Sequence, residues 1–316
     1  MLSTELNSLP SGRLLLPAGA RVLERGWLSA NGILFIGHDA TALIDTGYSS
    51  HSSQTVALVR DSLGSRELDL VLNTHLHSDH CGGNAALQQA FPAVRTLIPP
   101  GLAGSVRDWD PVALSYTPTG QLCPRFRMEG LLEPGQEITL GGANWQIHGA
   151  PGHDAHSVIL FEPETRTLVS ADALWEHGFG VVFEELEGIN AFEEVAATLD
   201  LIECLSPAIV IPGHGAVFTD VGGALASARS RLESFVRDPA KHGRHAAKVL
   251  LKFKLLELQQ VLSRDFLRWA VGTQYFHLVH QRFSTGPGLI EWLEILTSEL
   301  VRAGAAQRDG ELIFNT

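Results

Sequence analysis

Residues 74 to 83 read Thr-His-Leu-His-Ser-Asp-His-Cys-Gly-Gly. His75, His77, Asp79 and His80 fall within six positions of one another. Three imidazoles and a carboxylate in so short a stretch make a poor core and a good set of ligands for a divalent cation. Neutral imidazole nitrogen and carboxylate oxygen suit zinc, and also manganese or iron. His75 and His77 straddle Leu76 and can point the same way. Asp79 and His80 are adjacent and share a direction less easily. A single metal would not need both pairs, whereas two neighbouring metals would use them separately.

Short elements must position this run. Leu68 to Asn73 is an apolar stretch consistent with a buried strand, and Ala85 to Ala90 reads as a helix. The cluster then falls on a turn at the carboxyl end of a strand, where open sheets place ligands. Three later apolar runs end in the same chemistry. Trp145 to Gly149 leads into Pro151-Gly152-His153-Asp154. Thr167 to Ser170 ends in Ala171-Asp172-Ala173, and Ala208 to Ile211 in Pro212-Gly213-His214-Gly215.

His75-x-His77-x-Asp79-His80, followed in order by the His153, Asp172 and His214 motifs, resembles the signature of the metallo-β-lactamase superfamily. The resemblance runs over about residues 13 to 237. It implies an α+β fold, a four-layer αββα sandwich of two mixed sheets packed face to face, with helices outside and metals at one edge. It implies that His75, His77 and His153 hold one metal, and that Asp79, His80 and His214 hold the other. The carboxylate of Asp172 would bridge them. The cofactors implied are two divalent ions, zinc first, with iron or manganese as the alternatives. A hydroxide shared by the two ions would be the nucleophile, and Asp79 would orient it and handle its proton. Asp45, in the turn Asp45-Thr46-Gly47, would support the site from behind. Its simpler role is that of a turn aspartate satisfying backbone donors.

The reaction the resemblance implies is hydrolysis of a small ester, thioester or lactone, similar to glyoxalase II and the acyl-lactone hydrolases. Two alternatives share the scaffold, a mononuclear iron persulfide dioxygenase and a phosphodiesterase or nuclease. Two divalent ions, two carboxylates and a hydroxide leave one net positive charge, which favours an anionic or readily polarised reacting centre. Histidines outside the motifs, among them His38, His148, His156 and His177, read as ordinary surface or core residues. His156 and His177 are kept as candidates to contact substrate. Cys81 reads as a small buried thiol.

Bulk properties bound the partners. At 45% hydrophobic the chain can bury a real core. Its three cysteines, Cys81, Cys123 and Cys204, are widely spaced and odd in number, which fits no disulfide framework and suggests a reducing compartment. Met1 to Gly12 has no basic segment followed by a long apolar stretch, and no run approaches membrane-spanning length. The expectation is a cytoplasmic protein with a small-molecule substrate and no membrane partner. Net charge is −12 overall. Residues 241 to 316 hold ten Lys or Arg against seven Asp or Glu, so the remainder is strongly acidic. That argues against nucleic acid as a partner of the main domain. A homodimer is left open.

The organisation expected is a metallo-β-lactamase-like domain over residues 1–238 and a helical region over residues 239–316, divided at Asp238-Pro239. Ile33 to Ile36 and Thr41 to Ile44 flank Gly37-His38-Asp39, a hairpin signal. Helices are expected over Ser52 to Leu63, Phe192 to Leu205 and Gly222 to Val236. Residues 99 to 128 have no clean period and read as an insert over the site, with Trp109, Tyr116 and Phe126 either packing or lining a pocket. In the last region, Val249, Leu250, Phe253 and Leu256 fit one helical face, as do Leu289, Leu293, Leu296 and Leu300. Gly304 reads as a helix cap and Asp309-Gly310 as a hairpin turn. Three helices and a hairpin would resemble a winged-helix unit. The plainer reading is a helical cap or a dimerisation element. A basic stripe at Lys241, His245, Lys248 and Lys252 keeps the nucleic-acid option open.

Overall fold

A computed structural model describes residues 16–38 and 40–316. Met1 to Gly12, read above as lacking a leader, and Asp39 of the hairpin signal lie outside the described residues. Six strands form the first sheet in chain order: β1 (Ala20–Leu23), β2 (Gly32–Ile36), β3 (Thr41–Ile44), β4 (Leu70–Leu72), β5 (Arg95–Ile98) and β6 (Gly130–Leu131). The first three pair antiparallel and the rest parallel. The second sheet holds β7 (Glu137–Leu140), β8 (Ala143–Gly149), β9 (Val158–Glu162), β10 (Thr167–Ala171) and β11 (Ile209–Pro212). Its neighbours are antiparallel except β10 and β11, which run parallel.

Alternation within the strands builds the layers, because successive side chains leave a strand on opposite faces. Ile33, Phe35, Ala42, Ile44 and Leu72 of the first sheet meet Leu140, Trp145, Ile147, Val158, Leu160, Val169 and Ile211 of the second in one buried cluster. Each valine, leucine, isoleucine or phenylalanine among them contributes about 1.5–3 kcal/mol when fully buried. Leu34, Leu43 and Val71 point the other way, onto Val59, Leu63 and Leu87 of the helices Ser52–Leu63 and Asn84–Ala90. Ile159, Phe161, Leu168 and Val210 likewise meet Val195, Leu199, Ile202, Ala224 and Ala228 of the helices Phe192–Leu205 and Val221–Arg237. Helix, sheet, sheet, helix is therefore the order of layers, the αββα sandwich expected.

The insert carries two short helices, Ala103–Asp108 and Tyr116–Thr119. Trp109 sits 5.5 Å from Phe126 and 6.1 Å from Tyr116, ring centre to ring centre. These aromatics pack with Leu76 and Cys81 behind the metal-motif loop.

From residue 239 onward the texture is helical: Pro239–Leu258, Ser263–Gly272, Gln274–Phe283 and Leu289–Arg302. Asp238 caps the first of these by accepting the Lys241 N–H. That is four helices rather than three. A third strand, β12 (Gln260–Leu262), also joins the hairpin of β13 (Ala306–Asp309) and β14 (Leu312–Asn315). The extra strand escaped the sequence because it is three residues long and at once enters a helix. The buried face of Pro239–Leu258 also differs from the expected one. Ala246, Ala247, Leu250, Leu251 and Leu255 are buried, while Val249 is exposed. The helix is covered on two sides, so its apolar stripe is broader than a single line of leucines. Gly304 follows Leu289–Arg302 in the left-handed region, φ +72°, as a cap requires. No described helix is long and apolar enough to cross a membrane.

Candidate metal centre

All seven residues singled out in the sequence converge at one edge of the sandwich, and they do so in two groups. Nitrogens of His75, His77 and His153 form one group, and ligand atoms of Asp79, His80, Asp172 and His214 form the other, each within 4.8 Å. His75 Nε2 lies 3.1 Å from His77 Nδ1, which lies 2.8 Å from His153 Nε2. His214 Nε2 lies 3.1 Å from Asp79 Oδ2. Asp172 stands between the groups. Its Oδ1 is 3.4 Å from His80 Nε2, and its Oδ2 is 3.5 Å from His153 Nε2 and 3.8 Å from His214 Nε2.

The backbone aims these groups. His77 and Asp79 flank the start of the helical turn Ser78–Cys81 just beyond β4. β10 carries a register shift between Val169 and Ala171, and Ala171 takes φ +46°, which turns Asp172 out of the strand. Gly213 must lack a side chain, since a Cβ there would overlap Asp172 Oδ1. Asn31 holds the following turn, with its Nδ2 donating to the carbonyls of Pro212 and Gly215.

A second ring of contacts fixes which nitrogen of His80 and of His153 is free. Asp45 Oδ2 lies 2.8 Å from His80 Nδ1. The same carboxylate accepts from the Thr74 N–H and hydroxyl. Asp45 therefore serves both as a turn aspartate and as the support behind His80. It does so at φ +55°, a conformation unusual for a non-glycine residue. His153 Nδ1 donates to the Val181 carbonyl at 2.5 Å. Such partners set the ring tautomer and leave the opposite nitrogen as a lone pair. For His80 that opposite nitrogen, Nε2, is buried without a hydrogen-bond partner. A buried orphan of this kind is costly unless something completes it.

The electrostatics divide the two groups. Burial pushes His75 well below the ordinary imidazole range, and pushes His77 and His153 down to about 4. All three are neutral at neutral pH, the form that binds metal. For His80 burial acts the same way, but Asp172, Asp45 and Asp79 together override it and raise the ring well above its usual value, so these carboxylates draw to Nε2 a proton that a bound cation would replace. Burial acts to raise Asp79 and Asp172, yet the neighbouring histidines His80 and His214 hold both below the usual carboxylate range. Three carboxylates thus draw positive charge to one side of the centre. The orphaned His80 nitrogen, the convergent neutral imidazoles and this negative field all fit a bound divalent cation.

Several neighbours gave no signal in the sequence. Trp27 is 57% exposed and lies stacked on His214, ring planes 9° apart and centres 5.4 Å apart. Trp175 meets both rings edge-on and its Nε1–H donates to Asp172 Oδ1 at 3.2 Å. Phe183 packs against His77. Asp154 Oδ2 lies 3.8 Å from His77 Nε2. Asp154 follows His153 in its motif but is assigned no role from the sequence, and the aromatics have no spacing that marks them. Of the two further substrate-contact candidates, His156 packs against Gly101 and His177 projects into solvent.

The Metallo-beta-lactamase superfamily profile matches residues 25–214. A Beta-lactamase-like protein 2 homolog of Drosophila melanogaster is 31% identical over 188 residues, 58% of this chain and 57% of that protein. A hydroxyacylglutathione hydrolase of Methylococcus capsulatus is 29% identical over 151 residues, 47% of this chain and 48% of that one. The chain thus spans about half the length of these two relatives. A metallo-beta-lactamase family protein of Thermus thermophilus shares the fold at a TM-score of 0.55 and 20% identity, over 96% of this chain and 100% of that one. The matched span holds every residue of both ligand groups, from His75 to His214. This chain belongs to the metallo-β-lactamase superfamily.

Proposed function

We propose that the protein is a metal-dependent hydrolase with a dinuclear centre, acting on a small ester, thioester or lactone. The observation that carries this reading is the position of Asp172, within 3.4–3.8 Å of histidines from both ligand groups. His75, His77 and His153 would hold one ion; Asp79, His80 and His214 the other; Asp172 would touch both. Zinc suits this nitrogen and oxygen set, as do iron and manganese. Such ions, when bound, acidify a water and polarise a carbonyl.

The chain's own groups do the rest. Asp79 is the most exposed of the three carboxylates, at 15% against 6% for Asp172 and 2% for Asp45. It is ionised at neutral pH and so can accept and pass on a proton at the open side of the centre. Trp27 and Trp175 on His214, and Phe183 on His77, set apolar rings beside both ligand groups, where an acyl group could pack. A relative named as a hydroxyacylglutathione hydrolase supports a thioester among the substrate classes. Three members of the basic stripe are engaged within the chain: Lys248 with Glu299, Lys252 with the Ala305 carbonyl and Lys241 with Ser234. This favours a small substrate over a polyanion.

The test combines metal quantification with a panel of thioesters, lactones and phosphodiesters. The expected result is two metal ions per chain and turnover of a thioester or lactone. One iron per chain with oxygen uptake would select a persulfide dioxygenase instead, and turnover of phosphodiesters alone would select a nuclease.

A further inference from the structure

Cys81 and Cys123 face each other across the seam between the metal-motif loop and the insert. Their sulfurs are 3.8 Å apart. Cys81 is fully buried, Cys123 is half-buried, and the third cysteine, Cys204, is exposed and belongs to a different helix. We propose that Cys81 and Cys123 are a reversible disulfide-forming pair, in which Cys123 takes the oxidant and Cys81 resolves it.

A disulfide needs the sulfurs to approach to about 2.05 Å, so one side must give way. Cys81 ends the helical turn Ser78–Cys81, and its sulfur also lies 3.4 Å from the Leu76 carbonyl, 3.3 Å from the His77 carbonyl and 3.2 Å from the Tyr116 hydroxyl. That side is held. Cys123 lies in a stretch without helix or strand, followed by exposed Pro124 and Arg125. Its sulfur lies 3.8 Å from the Pro124 carbonyl, and its side chain packs on the aromatic cluster that holds Tyr116. Cys123 can therefore swing towards Cys81 without disturbing the metal-motif loop. It is also the thiol of the two that solvent reaches, as the site of first oxidation must be.

The oxidant is a peroxide. The Cys123 sulfur attacks one peroxide oxygen, the O–O bond breaks, and an alcohol or water leaves, so that Cys123 becomes a sulfenic acid. The Cys81 sulfur then attacks the Cys123 sulfur. The S–O bond breaks, and the hydroxyl departs with the Cys81 proton as water. Two thiols lose two electrons in all, and one peroxide gains them. The product ties the insert to the residue that follows His80. Thiol reductants reverse it by exchange. Nothing in this depends on the hydrolytic reading.

The experiment treats the purified full chain with hydrogen peroxide, then alkylates free thiols after denaturation and maps the peptides. The expected result is loss of two alkylation sites per chain and a linked peptide joining Cys81 to Cys123, both reversed by dithiothreitol. The melting temperature should rise by roughly 3–10 °C on oxidation. Cys123→Ser should abolish the link and the rise, and Cys204→Ser should leave both intact. Cys123 lies at the surface of the seam, so its variant keeps the test valid even if Cys81→Ser folds poorly. Recovery of Cys123 as sulfinic or sulfonic acid with Cys81 still alkylated would overturn the proposal. So would two freely alkylated thiols after peroxide.

Discussion

His153 and His242 hold opposite ends of a single peptide group. His153 Nδ1 donates to the Val181 carbonyl at 2.5 Å, and the N–H of Val182, the other end of that peptide unit, donates to His242 Nε2 at 3.3 Å. His242 is wholly buried between Phe192 and Phe235, on the helix Pro239–Leu258. A residue of the C-terminal helices thus props the peptide that orients a candidate metal ligand. Outer partners of ligating histidines commonly matter about 10–100-fold for metal affinity. His242→Phe should lower affinity at the His75, His77 and His153 group several-fold while the far-ultraviolet dichroism stays unchanged. Competition with a chromogenic chelator measures it. An unaltered affinity would mean that the peptide holds its place without His242. Deleting residues 241 to 316 should for the same reason reduce metal content, as well as any assembly or substrate range set by that region.

Asp79→Asn keeps the shape of the side chain and removes its charge. Turnover should fall by at least about 100-fold, the usual scale for loss of a proton-handling group. The melting temperature should barely move, since Asp79 lies at the open side of the centre. His214→Ala should bring metal stoichiometry from two towards one per chain. A preparation of His214→Ala that still retains two tightly bound ions would contradict the assignment of His214 to the second group.

Asp45→Asn separates two roles. Asparagine tolerates the left-handed backbone at φ +55° and can still accept from the Thr74 N–H. It cannot supply the carboxylate charge beside His80 Nδ1. The fold should persist, while metal affinity at the Asp79, His80 and His214 group falls by about tenfold or more. Titration of the apoprotein with zinc, following the second binding step, reads this directly.

Trp27→Ala tests the aromatic rings beside the ligand groups. Trp27 is exposed, so the protein should lose little stability. KM for an apolar acyl substrate should rise by roughly fivefold, about 1 kcal/mol of lost contact at 25 °C. kcat should change less, because Trp27 touches His214 by stacking alone. A kcat loss that exceeds the KM change would instead place Trp27 in the positioning of His214.

Stability should fall with acid. Burial, then the neighbouring His245, pushes His242 down to about 3, and burial, then Arg231 and Lys248, pushes His245 down to about 4. Both rings titrate near 6.5 in the unfolded chain. Between their folded values and 6.5 the unfolded state binds more protons, so folding stability decreases as pH drops through that window. The contribution is fully present above about pH 6.5, and about 2 kcal/mol per ring is gone by pH 5. His242→Gln should flatten the melting-temperature profile between pH 7 and 5. An unchanged slope would show that His242 is already protonated in the folded protein.

The ligand-bearing residues were legible because each ends a short apolar run, and strand ends are where a sheet can present polar groups without burying them unpaired. Resemblance to the family's motifs, found in order, singled out His75, His77, Asp79, His80, His153, Asp172 and His214, and the period of the hydrophobic residues marked the helices Ser52–Leu63 and Phe192–Leu205. Other features depend on chain segments far apart in sequence. Trp27 reaches His214 across 187 positions, and His242 reaches His153 through a peptide belonging to neither. Nothing local to those residues encodes such contacts. The broad buried face of Pro239–Leu258 is a similar case, set by neighbours on two sides rather than by its own period. Sequence determined which side chains could hold a metal, since that is a matter of donor atoms. Tertiary structure decided which of their nitrogens are free and what stands behind them, since tautomer, burial and charge are properties of the packed surroundings.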